Sequence, residues 1–195
     1  QSSNEMLQGL DDQVFVTCYL QGEFPAQWKR LEKAIRQKLN EFSDASEGQL
    51  RFQFVNIYEV DDRQTIGQNE QKLVDQELGF TRIAFEENGV RAFQTVWPAA
   101  LISYRNRTES VQFFKSDIPE PTEAMIQGSI NTLEYELSSA IRRLLRPDRP
   151  RIAMIEGHGE LLTAEVADFV MDLEIDYDVY RVRLDGQLNV LSERL

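Results

Sequence analysis

Cysteine and histidine are almost missing from this sequence, because Cys18 and His158 are the single residues of their kinds in a chain of 195. One cysteine cannot form a disulfide within the chain, and the apolar run "VFVTCYL" around it predicts a buried structural thiol. A metal site would have to combine His158 with carboxylates alone. We therefore expect no metal ion and no other cofactor.

Positive charge and long apolar runs are also scarce. The chain has 21 basic against 33 acidic side chains and a formal net charge of -12, which disfavours binding to a phosphate backbone. No stretch approaches the roughly 18 to 20 apolar residues of a membrane span, and "QSSNEMLQGL" lacks the features of a signal peptide. We expect a soluble chain that does not bind nucleic acid.

The first half of the sequence alternates strand and helix patterns. A β-branched and aromatic run from Val14 to Leu20 predicts a strand, and a second strand is expected between Leu50 and Tyr58. The segment between them has the spacing of an amphipathic helix, with apolar residues at Phe24, Trp28, Leu31, Ile35, Leu39 and Phe42. The spacing from Thr65 to Gln68 resembles a capping box and predicts a shorter helix that stops at Gly79.

The middle of the sequence favours antiparallel strands. Asn88-Gly89 lies between "TRIAFEE" and "VRAFQTVW" and predicts a tight hairpin, and "RNRT" predicts a second hairpin, of alternating pattern, after Pro98. A long helix follows, with apolar residues at Ile126, Ile130, Leu133, Leu137, Ile141 and Leu144. We expect residues 14–146 to form one layered α/β domain with a mixed sheet.

Two prolines and three charges in "RPDRP" indicate a boundary near the end of this helix. We divide the chain into a first domain over 1–146, a linker over 147–150 and the beginning of a second domain over 151–195. "RIAMI", an amphipathic segment and a strand from Tyr180 to Leu184 predict that the second domain opens as a β-α-β unit.

The predicted order of elements in the first domain is that of a thioredoxin-like fold. Trp97-Pro98 precedes a core strand, where that fold usually carries a cis-proline, so we expect a cis bond and a structural turn there. Redox members need a Cys-x-x-Cys at the start of the first helix, and this sequence has "GEFPAQW" instead. Disulfide exchange is excluded.

The main candidate site is the turn Gly157-His158-Gly159-Glu160, where a strand gives way to a helix. Ligands gather at such positions in open α/β sheets, but the third glycine of a dinucleotide fingerprint is missing. We favour a structural turn in which the glycines permit tight backbone and His158 and Glu160 supply hydrogen bonds. The alternatives are contact with a ligand or partner and a hydrolase that uses this turn.

Other conspicuous residues have simpler interpretations. The acidic pairs Asp11-Asp12, Asp61-Asp62 and Glu86-Glu87 lack the spacing of a calcium loop, and we expect them to be solvated turn residues. The aromatic residues Trp28, Trp97 and Tyr104 follow apolar periodicities and are predicted to lie in the core.

Five stretches, taken in order, resemble one family, the gliding-motility-associated ABC transporter auxiliary protein GldG of the Bacteroidetes. They are "YLQGEFPAQWKRL", "FQFVNIYEVDD", "WPAALISYRNR", "NTLEYELSSAIRRLLR" and "IAMIEGHGEL". The resemblance covers nearly the whole chain from Val14 onward, and "IEGHGEL" is its most specific part.

The resemblance implies a periplasmic module without enzymatic activity, held at the inner membrane by anchors outside this sequence. It implies partners on other chains, namely an ABC permease and an ATP-hydrolysing subunit. Residues 151–195 would then begin a Rossmann-like domain related to one in an intraflagellar-transport protein. The family supplies no catalytic residues, and the transported substrate is not implied.

Overall fold

The computed structural model describes residues 3–60, 62–87, 90–115, 121–146, 151–157, 159 and 165–183. The chain divides into two compact units, Gln1–Leu145 and Arg146–Leu195. The predicted linker over 147–150 and the turn residues Asn88 and Gly89 lie outside the described residues.

The first unit alternates helices and strands before it turns to antiparallel pairs. Its elements are α1 (Ser3–Gln8), β1 (Val14–Cys18), α2 (Ala26–Ala45), β2 (Leu50–Phe54), α3 (Arg63–Asp75), β3 (Thr81–Glu87), β4 (Val90–Val96), β5 (Ala99–Tyr104), β6 (Arg107–Gln112) and α4 (Glu123–Leu145). Four strands form a mixed sheet in the order β2-β1-β5-β6. β1 and β2 are parallel, whereas β5 runs antiparallel to both β1 and β6. The prediction of a mixed α/β architecture is confirmed.

The main core lies between this sheet and the helices α2 and α4. The periodic residues of α2 from Trp28 to Phe42 are buried, and so are five of the six predicted positions of α4, while Ile130 is partly buried against the same cluster. Trp28 meets Phe114 edge to face, with ring centroids 5.0 Å apart. Each fully buried large aliphatic side chain contributes about 1.5–3 kcal/mol, so these two stripes fix both helices on one face of the sheet.

Both predicted ends of α3 are wrong. The helix begins after Asp62, whose carboxylate accepts hydrogen bonds from the backbone N–H groups of Gln64 and Thr65. An acidic N-cap satisfies N–H groups that have no partner within the helix, and the hydroxyl of Thr65 donates to the same carboxylate at 2.7 Å. The helix ends at Asp75, and Glu77 takes the left-handed conformation with φ 60°. A polar residue three positions upstream therefore replaces the expected capping box.

The Trp97–Pro98 peptide bond is trans, so the prediction of a cis bond is wrong. The carbonyl of Pro98 accepts a hydrogen bond from the N–H of Phe113 at 2.8 Å, which extends the β5–β6 pairing by one position. Proline has no backbone N–H to donate, and at this position only its carbonyl takes part in the pairing. A trans proline at the start of a strand meets that requirement.

The second unit contains β7 (Arg151–Glu156), α5 (Ala167–Asp176) and β8 (Asp178–Arg183). β7 and β8 pair in parallel, with Ile152 opposite Val179 and Ile155 opposite Val182. An ion pair between Arg181 and Glu156, 2.6 Å from Nη1 to Oε1, crosses the two strands. Across the described segments of both units, no helix is long and apolar enough to cross a membrane.

Candidate functional site

A cleft of about 610 Å³ opens at the carboxyl ends of β1 and β2, beside the last turns of α3. We call it the strand-end cleft. Its apolar lining consists of Val55, Ile57, Val60 and Leu73, of which Ile57 and Leu73 are buried and Val60 is exposed. The carboxyl ends of parallel strands are where open α/β sheets bind ligands, and the volume is in the usual range for a small-molecule site.

The polar side chains that line this cleft fall into a half-buried group and an exposed group. Tyr19, Asn56 and Asn69 are half-buried, whereas Lys72, Asp75 and Gln76 form an exposed rim. Burial, followed by the neighbouring Cys18, raises the pKa of the Tyr19 hydroxyl. The phenol is therefore neutral at physiological pH and can both donate and accept a hydrogen bond.

Side-chain hydrogen bonds hold α3 beside the strand-end cleft. The amide of Asn69 donates to the carbonyl of Ile57 at 3.5 Å, and the hydroxyl of Tyr58 donates to Glu70 at 2.8 Å. The indole Nε1 of Trp97 donates to the same hydroxyl at 3.0 Å. Burial is the main reason that the pKa of Tyr58 is raised, and the Glu70 carboxylate acts in the same direction. The hydroxyl therefore keeps its proton and serves as a fixed donor to Glu70.

β3 and β4 pair antiparallel as a separate two-stranded sheet, the β3–β4 hairpin. A second cleft, of about 310 Å³, lies on the other side of α3 against this hairpin. We call it the hairpin cleft. Phe80 and Trp97 form its aromatic wall, with ring centroids 5.2 Å apart, and Phe80 is 48% exposed. Glu70 and Arg82 bring charges of opposite sign to the same cleft.

Cys18 lies at the end of β1 and is fully buried, as the sequence predicted. Burial raises its pKa to about 12, whereas a thiol that attacks disulfides needs a lowered pKa. The helix α2, which follows β1, begins at Ala26 after Pro25 and carries no cysteine at its start. Thiol–disulfide chemistry has no suitable group here.

The predicted turn at residues 157–160 is described only in part, because His158 and Glu160 lie outside the described residues. Gly157 follows β7 with φ 105°, and Gly159 has φ 91°. A Cβ on Gly157 would lie 3.5 Å from Cγ of Arg183, which is ordinary contact, so backbone conformation rather than space favours glycine there. The proposed contact of this turn with a ligand or partner stays a prediction.

The structure also places the aromatic residues and the acidic pairs that the sequence analysis considered. Trp28, Trp97 and Tyr104 are buried, which confirms that prediction. Asp11 is exposed but accepts a hydrogen bond from Tyr104, and this bond is the main reason that its pKa is lowered. Glu86 and Glu87 are the last residues of β3 rather than turn residues. Asp61 lies outside the described residues.

No group of three or more histidine, cysteine, aspartate or glutamate side chains that could hold a metal ion occurs in the described ranges. Sequence reasoning did not find either cleft. One signal in the sequence could have indicated the strand-end cleft. Polar residues interrupt weak apolar patterns in "NIYEV" after β2 and in α3, namely Asn56, Asn69 and Lys72.

Comparison with known proteins gives one family. The searches of curated proteins and of solved structures returned no match. A family model described as a domain of unknown function, DUF7088, matches residues 1–103, which run from the beginning of the chain into β5. All residues of the strand-end and hairpin clefts fall within the match, and the turn at 157–160 falls beyond it. Because the match covers more than half of the 195 residues, the chain belongs to the DUF7088 family.

Proposed function

We propose that this chain is a non-enzymatic, extracytoplasmic auxiliary or binding module of an ABC-type transport system, related to the GldG proteins of gliding motility. Its partners would be a permease and an ATPase subunit on other chains. Anchors outside these 195 residues would hold it at the periplasmic face of the inner membrane. The five quoted stretches that resemble GldG support the transport assignment.

The strand-end cleft is the observation that carries the binding part of this proposal. A volume of about 610 Å³, an apolar floor and half-buried amide groups suit the recognition of a small ligand. The one thiol nearby, Cys18, is buried and has a raised pKa. These features favour binding over redox catalysis at this end of the sheet.

A finer fold assignment belongs to the same proposal. We assign the first unit to the thioredoxin-like folds, because the order β2-β1-β5-β6 joins one parallel pair to antiparallel strands. The crossover helix α2 and the closing helix α4 agree with that assignment. The trans bond at Trp97–Pro98 removes the cis-proline from its support. We assign the second unit to the Rossmann-like domains on its parallel β7-α5-β8 unit.

The transport assignment is tested by affinity purification of the full-length protein from native membranes. We expect an ABC permease and its ATPase subunit to co-purify in defined proportion, and not with an unrelated tagged periplasmic protein. Protease added outside intact spheroplasts should cleave the domain. If neither subunit co-purifies, or if the domain is protected until the cells are lysed, the assignment is wrong.

The same purification tests the predicted role of the turn at 157–160. We expect His158→Ala to leave the permease and ATPase bound, because we favour a structural turn there. A folded His158→Ala protein that loses either subunit would make this turn a recognition site.

A further inference from the structure

We propose that the strand-end cleft binds a small, uncharged, polyhydroxylated ligand of the size of a mono- or disaccharide. The inference rests on the proposed function in that it takes the chain to be a binding module, and it supplies the ligand class. It does not depend on which transporter the module serves.

The shape and floor of the cleft are the first step. Val55, Ile57 and Leu73 present an apolar surface, and Tyr19 adds a half-buried ring. Sugar rings carry a face of C–H groups that packs on aromatic and aliphatic surfaces, while their hydroxyls point outward. An apolar floor with a polar wall suits that division.

The hydrogen-bonding groups of the wall are the second step. Among the described residues, the side chains of Tyr19, Lys72 and Gln76 have no protein hydrogen-bond partner, although they line one cleft. Asn69 uses its amide N–H on Ile57 and has its oxygen available. Phenol, ammonium and amide groups together offer both donors and acceptors. A hydroxyl also donates and accepts, so a polyol can satisfy all of them.

Charge is the third step, and it narrows the ligand class. Lys72 and Asp75 both lie on the rim, and their formal charges cancel. The net charge of the whole chain, -12, opposes the approach of anions. A phosphate-bearing or carboxylate-bearing ligand would meet a single lysine beside an aspartate, whereas an uncharged polyol meets no such opposition.

The test is a titration of the ¹⁵N-labelled 195-residue chain followed by two-dimensional NMR. The probes are glucose, N-acetylglucosamine and maltose, each raised to about 20 mM so that a millimolar dissociation constant is reached. Sodium phosphate and sodium glutamate serve as charged probes. We expect at least one sugar to shift the signals of Asn56, Asn69 and Gln76 with saturation, and the charged probes to leave them in place.

Substitutions then locate the bound sugar. We expect Asn69→Ala and Gln76→Ala each to weaken binding about threefold to tenfold, the equivalent of one lost hydrogen bond. Gln76→Ala lies on the exposed rim and leaves the Asn69–Ile57 bond intact. The matched control is Gln68→Ala, an exposed position on the same helix that lines neither cleft.

Three outcomes would overturn the inference. They are the absence of shifts with every sugar, saturable shifts with phosphate or glutamate alone, and sugar binding that Gln76→Ala and Gln68→Ala leave equally unchanged. A failed titration beside a successful co-purification of permease and ATPase would reject the sugar site alone. Failed co-purification with successful titration would reject the transporter assignment alone.

Discussion

The indole Nε1 of Trp97 donates a hydrogen bond to the hydroxyl of Tyr58 at 3.0 Å. The two residues are 39 positions apart in the sequence. The same hydroxyl of Tyr58 donates a hydrogen bond to Glu70 of α3 at 2.8 Å. This chain of bonds joins the end of the β3–β4 hairpin, the loop after β2 and α3. It holds the helix that separates the strand-end cleft from the hairpin cleft.

Removal of the Tyr58 hydroxyl should therefore loosen α3. We expect Tyr58→Phe to lower the free energy of unfolding by about 1–2 kcal/mol, because the Trp97 indole, 2% exposed, is left without its acceptor. Urea denaturation measures the change. Tyr135→Phe is the control, since Tyr135 is 65% exposed and its substitution should have almost no effect. Equal stability of the two variants would show that the hydroxyl contributes nothing.

The anchoring of α3 by a single apolar side chain gives a second prediction. Leu73 is 3% exposed, whereas its neighbour Val74 is 47% exposed. Leu73→Ala should destabilise the first unit by about 2–4 kcal/mol through lost burial and a residual cavity, and Val74→Ala by much less. Amide hydrogen exchange across α3 should accelerate in Leu73→Ala alone. Exchange rates that match in the two variants would mean that Leu73 does not anchor the helix.

Burial of Cys18 predicts an unreactive thiol and a dependence of stability on alkaline pH. A free thiol has a pKa of about 8.5, and the folded value is about 12. Above pH 8.5 the unfolded chain loses this proton while the folded chain keeps it, so the contribution to stability is complete below that pH and falls as pH rises toward 12.

The free energy of unfolding, measured by denaturation between pH 8 and 10.5, should fall as pH rises, and Cys18 should contribute up to about 1.4 kcal/mol per pH unit to that slope. Cys18→Ala should have a shallower slope, because it lacks the titrating group while the tyrosines remain. In the native protein a thiol reagent should react with Cys18 only after unfolding by denaturant. Rapid labelling of the folded chain would show that the thiol is accessible. Parallel slopes in the two proteins would show that folding does not raise its pKa.

The conformation of Gly157 predicts a local cost for any side chain. With φ 105°, Gly157→Ala should destabilise the β7–β8 pair by about 1–3 kcal/mol. Hydrogen exchange at the amides of Ile152 and Ile155 reports on this pair. The control is Gly128→Ala within α4, where a Cβ meets nothing within 4 Å and alanine should be neutral or stabilising. A neutral Gly157→Ala would mean that the turn does not require glycine.

Local periodicity explains which parts of the fold the sequence predicted. The stripes of α2 and α4 follow the 3.6-residue repeat of a helix, and burial of Trp28, Leu137 and their neighbours agrees with it. β5 departs from the expected alternation, because its four consecutive residues 99–102 are all buried. The predicted start of α3 is wrong because both Asp62 and Thr65 are residue types that can cap a helix, and only the backbone path selects between them.

The sequence by itself determined the order of helices and strands from β1 onward, the apolar faces of the long helices and the lack of a second thiol for Cys18, because each depends on residues close together in the chain or on composition. The tertiary structure decided the pairing of β1 with both β2 and β5. It also decided the trans bond at Trp97–Pro98 and the meeting of Tyr19, Asn56 and Asn69 in one cleft. These depend on contacts between segments tens of residues apart, and side-chain periodicity carries no information about which distant partner a face will meet.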